Sequence, residues 1–213
     1  MNVKLIIFDL DGTLFNSIPD LTDSLNHVAK LYNKTVSDER NITEIVGGGI
    51  VKLIENAFDI SKDESGFSNY FDEFMKHHER NFSNRSHLYN NTLEILEYYK
   101  TKKLAILSNK IDYLTKQVAI NYNIESYFDL ILGATEGLPK KPSGKPILYI
   151  LNELNILPSE AIMVGDSEPD IISAKSAGVK TVAFTCGYRS EKQLEKLNPD
   201  YIIDDIIDLK MII

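Results

Sequence analysis

A doubly wound α/β fold, a parallel sheet with helices on both faces, is predicted for this chain by three observations. Short apolar, β-branched runs alternate with helical patterns through most of the sequence. Several of those runs end in acidic or other polar residues, as strands do at the ligand-binding edge of an open sheet. One stretch, from about residue 16 to about residue 85, has helical spacing but no convincing strand pattern, and so reads as an all-α insertion.

The first strand, expected over 3–8, contains the run Leu5-Ile6-Ile7-Phe8, too apolar for a strand with a solvated face. In the insertion, Leu21, Leu25, Val28, Ala29 and Tyr32 mark one helix face. Val51, Ile54, Ala57 and Phe58 mark a second; Phe67, Tyr70, Phe71, Phe74 and Met75 mark a third, all at i, i+3, i+4 spacing. Further strands are expected over 104–108, 130–132, 161–164, 181–184 and 201–203. Helices are expected over 91–99, 114–121, 147–154 and 169–177. Right-handed crossovers then give a parallel, Rossmann-like core. It would comprise residues 1–15 and 86–213, with a helical cap at 16–85.

Bulk properties narrow the function. Of 213 residues, 43% are hydrophobic and 25% charged, as in ordinary globular proteins. No apolar run reaches the roughly 18 residues of a membrane span, and no signal-peptide pattern opens the chain. The single cysteine, Cys186, forms no internal disulfide, which fits a cytoplasmic location. It is expected to be a small buried residue. A net charge of −8 argues against a nucleic-acid partner. Neither a membrane partner nor an oligomeric state is indicated. An anionic substrate would require locally concentrated positive charge, from a metal ion or a few lysines.

Four polar clusters carry the chemistry. In Asp9-Leu10-Asp11-Gly12-Thr13-Leu14, two carboxylates follow the first strand directly. Residues i and i+2 of an extended chain point the same way, so both acids can address one cation or one reacting atom. Taken alone, the pair is also compatible with a turn aspartate and a helix cap. Ser108-Asn109-Lys110 ends the second long apolar run. A hydroxyl and free backbone N–H groups there suit phosphate oxygens, although a Ser N-cap beside an exposed lysine reads as well. Lys140-Lys141-Pro142-Ser143-Gly144-Lys145-Pro146 is a loop stiffened by two prolines that fixes Lys141, or else a solvated basic turn. Gly165-Asp166-Ser167-Glu168-Pro169-Asp170 repeats the opening pattern, with Asp170 also placed to favour a helix start. Four such clusters, each at the carboxyl end of a separate strand or in the adjoining loop, point to one shared site.

Together these motifs resemble the haloacid dehalogenase-like hydrolases over nearly the whole chain. Gly47-Gly48-Gly49, the residues after Ser108 and the Cys186-Gly187-Tyr188-Arg189 turn resemble the phosphoglycolate phosphatase-like branch. Asn16 departs from the pattern, since relatives often carry Asp there; that position borders the cap hinge.

The resemblance implies a Mg²⁺-dependent phosphatase acting on a small phosphorylated metabolite, with phosphoglycolate the leading candidate. Asp9 would be the nucleophile and Asp11 the general acid and base. Asp9, the Asp11 backbone carbonyl and Asp166 would bind Mg²⁺, with Asp170 ordering a coordinated water. Ser108, Asn109 and Lys141 would hold the phosphoryl oxygens. The helical insertion would act as a lid, with Gly47, Gly48 and Gly49 either approaching the substrate or forming a helix-breaking turn. His77, His78, Arg80 and Arg85 are expected on a solvated cap face. A sugar phosphomutase or pyrophosphatase shares the same core motifs. A phospho-receiver domain uses similar residues but is shorter and has no use for Asp11, and a non-catalytic binding protein would not need every position filled.

Overall fold

A computed structural model describes residues 2–35 and 37–213. These divide into two compact units, one formed by the chain up to Phe15 with Leu88–Ile213, the other by Asn16–His87.

The first unit is built on a six-stranded parallel sheet of order β5-β4-β1-β6-β7-β8. Its strands are β1 (Leu5–Phe8), β4 (Lys103–Ile111), β5 (Leu130–Ala134), β6 (Ala161–Gly165), β7 (Lys180–Phe184) and β8 (Tyr201–Ile203). Helices α5 (Thr92–Tyr98), α6 (Asp112–Asn121), α7 (Lys145–Leu154) and α8 (Glu168–Ser176) alternate with them, followed by the short α9 (Glu191–Glu195) and α10 (Leu209–Ile212). The doubly wound parallel fold is as predicted. Every residue of β1 is buried because both its faces are covered. Leu5 and Ile7 join Ala105, Leu107, Ala161 and Met163 in a core closed by Ile147, Ile150 and Leu151 of α7 and Ala174 of α8. Ile6 and Phe8 point to the opposite face, as the two-residue period of a strand requires.

The central position of β1 positions the site. It pairs with β4 on one side and β6 on the other. The chain therefore reverses its direction of travel across the sheet beside β1, and open α/β sheets bind ligands at such a reversal. β4 runs three residues beyond the predicted end, with a register shift against β5 between Leu107 and Ile111.

The second unit contains α1 (Ile18–Leu31), α2 (Glu39–Ile45), α3 (Ile50–Phe58) and α4 (Phe67–Asn81). α2 was not anticipated; it is short, buries only Ile42 and is capped by Asp38, whose side chain accepts from Asn41 N. Asp20, almost wholly buried, accepts from the backbone N–H groups of Arg85 and Ser86 at 2.9 and 3.0 Å, tying the start of α1 to the returning chain. Two further two-residue strands, β2 (Phe15–Asn16) and β3 (His87–Leu88), pair where the chain leaves and re-enters the first unit. One expectation is corrected here. His78 lies packed between Phe74 and Phe82 and is buried, while His77 is half-buried and only Arg80 and Arg85 are exposed. The apolar face of α4 continues through position 78, four residues beyond Phe74. No helix among the described residues is long and apolar enough to cross a membrane.

Candidate active site

Asp9 follows the last residue of β1, and its N–H donates to Val164 O of β6 at 2.9 Å. Its side chain is held from two sides. Leu10 N donates to Oδ1 at 2.7 Å, and Lys141 Nζ lies 2.8 Å from the same oxygen. Asp166 follows β6 in the same way and is fully buried. It accepts from Thr13 Oγ1 at 3.0 Å and from Tyr188 N at 2.8 Å. Asp170, in the first turn of α8, has both oxygens engaged. Oδ1 takes Lys141 Nζ at 2.6 Å, and Oδ2 takes Ser167 N and Oγ at 3.0 and 2.6 Å.

Lys141 is thus no member of a solvated basic turn. It is buried, pairs with Asp9 and Asp170, and donates to Leu107 O at 2.8 Å, while its neighbours Lys140 and Lys145 are exposed. Burial works against its ammonium, but the Asp170 and Asp9 carboxylates outweigh burial and hold its pKa above that of an ordinary lysine. The acids are driven the other way. Burial, then repulsion from Asp170, raises the pKa of Asp9 well above the usual carboxylate range, although Lys141 opposes the shift. Burial, then Asp170, likewise raises Asp166 against its two hydrogen bonds. One lysine does not neutralise three acids.

Asp9, Asp166 and Asp170 each present a carboxylate oxygen, and these oxygens lie within 4.8 Å of one another. An all-oxygen, anionic, buried donor set of this kind suits a hard divalent cation. The Asp11 carboxylate is not in that group. It turns to Lys110, whose Nζ lies 2.9 and 3.2 Å from its two oxygens. Ser108 is buried, with its Oγ accepting from Lys110 N at 3.2 Å, and Asn109 donates its amide to Lys141 O at 3.0 Å. The Ser N-cap reading is excluded, because α6 begins after Ile111 and Lys110 is buried.

Residues that the sequence motifs contain but give no role complete the frame. Thr13 and the Tyr188 N–H orient Asp166, Ser167 holds Asp170, and Lys110 holds Asp11. Thr13 lies within the first motif, and Tyr188 within the 186–189 turn, so both were in view; that the Tyr188 backbone N–H reaches Asp166 was not, because the contact joins residues 22 apart through the fold. Two glycines line Asp166. A Cβ on Gly12, whose φ is +90°, would overlap the Asp166 carboxylate, and one on Gly187 would overlap Asp166 Cβ. Cys186, expected to be buried, is exposed in the turn after β7, where its Sγ donates to Asp204 O at 2.8 Å. The Gly47-Gly48-Gly49 turn joins α2 to α3 in the helical unit, with φ of 117° at Gly47 and 84° at Gly49. Side-chain-bearing residues would be strained at positions 47 and 49.

Carboxylates and a buried lysine, gathered at the carboxyl edge of a doubly wound sheet, are the groups expected of an enzyme that handles anionic groups with a cation's help. The chain belongs to the haloacid dehalogenase-like hydrolases, whose family model matches residues 6–184. It is 34% identical over 220 residues to a phosphoglycolate phosphatase of Haemophilus influenzae (strain 86-028NP), covering 99% of this chain and 98% of that protein. A phosphoglycolate phosphatase of Aquifex aeolicus is 35% identical over 209 residues, covering 97% and 95%. Among solved structures, a predicted phosphoglycolate phosphatase from Haemophilus somnus 129pt superposes with a TM-score of 0.93 at 32% identity, covering all of this chain and 98% of that one.

Proposed function

We propose that this hydrolase is a Mg²⁺-dependent phosphatase acting on phosphoglycolate or a closely similar small phosphate monoester. The observation that carries the reading is the environment of Asp9, a strand-end carboxylate beside a buried lysine and two further buried acids. Full-length likeness to phosphoglycolate phosphatases supports the substrate class.

Asp9 attacks phosphorus in line. The P–O bond to the leaving group breaks as the Asp9 Oδ–P bond forms, giving an aspartyl-phosphate. Asp11 delivers a proton to the departing alkoxide and then takes one from the water that hydrolyses the intermediate, releasing phosphate and free Asp9. Lys141 offsets negative charge around Asp9, and Ser108 with the backbone of Asn109 holds phosphoryl oxygens. The Asn109 amide fixes the loop that carries Lys141. Asp9, Asp166 and the Asp11 backbone carbonyl would hold the cation with Asp170 bordering it, and when bound it would neutralise phosphoryl charge as a Lewis acid. Substrate choice is assigned to the helical unit, with Gly47, Gly48 and Gly49 as its candidate recognition turn. The single cysteine, exposed and unbridged, suits a cytosolic enzyme.

The test is phosphate release from phosphoglycolate, pyrophosphate, sugar phosphates and p-nitrophenyl phosphate, with Mg²⁺ or EDTA, beside Asp9→Asn. Metal-dependent turnover, highest on phosphoglycolate and abolished in the folded Asp9→Asn variant, is expected. Turnover surviving Asp9→Asn would remove Asp9 as nucleophile. Preference for pyrophosphate or a sugar phosphate would reassign the substrate.

A further inference from the structure

Beside Lys141, the site holds a second buried lysine, Lys110. Its side chain is 5% exposed and that of its partner Asp11 is 18% exposed, so the ammonium is the more deeply buried of the two. A buried ammonium needs a compensating anion, and here one nitrogen bridges both oxygens of a single carboxylate.

The backbone around Lys110 is built to place it. β4 continues past Leu107 with a register shift against β5, which re-aims the side chains of 108–110. Thr115 Oγ1 donates to Lys110 O at 3.2 Å. Gly133 N on β5 donates to Asp112 Oδ1 at 2.9 Å, and a Cβ on Gly133 would overlap Asp112 Cα and come within 2.7 Å of Lys110 O. A strand, a glycine and a hydroxyl therefore hold one lysine at one carboxylate.

We propose that Lys110 is a positioning residue, whose ammonium keeps the Asp11 carboxylate apart from the Asp9–Asp166–Asp170 group and facing the leaving-group side of the site. The proposal rests on the phosphatase reading above. Without Lys110, Asp11 is free to turn toward any cation held by the three acids, and the leaving group loses its proton donor. Lys110 acts through Asp11 and not on the phosphoryl group.

Two esters separate these roles. Phosphoglycolate releases an alkoxide that needs a proton, whereas p-nitrophenyl phosphate releases an anion that is stable without one. For Lys110→Met, kcat/KM on phosphoglycolate should fall by roughly 10²-fold or more, the scale of lost general acid catalysis. On p-nitrophenyl phosphate it should change by only a few fold. Lys110→Arg should restore part of the phosphoglycolate rate. Equal losses on both esters would mean general damage or direct phosphate binding and would overturn the proposal, as would no loss on either.

Should Lys110→Met fold poorly, the substitution is made together with Asp11→Asn, since the double variant removes both charges of the pair. Adding Lys110→Met to Asp11→Asn should then cost nothing further on phosphoglycolate; a further loss would show that Lys110 acts independently of Asp11. If wild-type protein turns over no compound of the panel with Mg²⁺, the phosphatase reading fails and this proposal with it. If the wild type is active and only the ester selectivity fails to appear, the phosphatase reading stands and the positioning role falls.

Discussion

Asp166 is enclosed by Thr13, the Tyr188 N–H, Gly12 and Gly187, so its carboxylate has one place to go. Gly187→Ala tests that confinement, because a single methyl would displace Asp166 without changing charge. A shift of about 1 Å at a reacting site costs on the order of 10²-fold, and kcat on phosphoglycolate should fall by that much with the fold intact by circular dichroism. At this scale Asp9, Asp166 and Lys141 were legible because charge ending an apolar run, or locked before a proline, conflicts with its surroundings. The burial of Lys110 was not legible. It depends on β4 continuing past Ser108, and the polar residues there resemble a loop. His78 and Cys186 mislead for opposite reasons: a polar residue sits on a buried helix face, and a small thiol lies beyond the end of its strand.

Among the elements, α8 shows how one residue links a helix start to the site. Asp170 accepts from Ser167 N and Oγ while pairing with Lys141, so the capping contact also fixes a charged group. Ser167→Ala should cost about 1 kcal/mol of stability, measured by urea unfolding, and should lower activity more than an ordinary cap loss because Asp170 is released. Tyr99, at the end of α5, donates its hydroxyl to Leu209 O at 2.9 Å and so ties α5 to α10. Burial, then the neighbouring Tyr98, pushes its pKa up to about 12, against about 10 in an unfolded chain. The folded state therefore keeps this proton longer than the unfolded state does. Stability from this group is intact below pH 10 and declines from there toward 12. Tyr99→Phe should make that alkaline decline shallower in urea midpoints, at a cost of about 1 kcal/mol near neutrality. Strands were legible because both faces of the sheet are covered. β2, β3 and α2 were not, since two residues or one buried isoleucine leave no period to read.

For the molecule as a whole, three buried acids against one lysine leave a charge imbalance that native-state cation binding relieves. Mg²⁺ in hundredfold excess over its Kd should stabilise the fold by about 2.7 kcal/mol. This is measurable as a rise in thermal midpoint that EDTA reverses and Asp166→Asn greatly reduces. Fold class and the alternation of elements were legible from patterning alone, while pairing order was not, because it joins residues far apart in sequence. That separation has a consequence for synthesis. Leu5 pairs with Lys103 and with Ala161, so the strand carrying Asp9 leaves the ribosome long before either neighbour exists. At about 5–20 residues per second, this apolar segment waits several seconds for β4 and longer for β6. The intervening helical unit, whose contacts are local, has time to form first. Of the strands of the finished sheet, the one beside Asp9 thus waits longest without a partner, and it is the one for which a chaperone has the longest opportunity to compete.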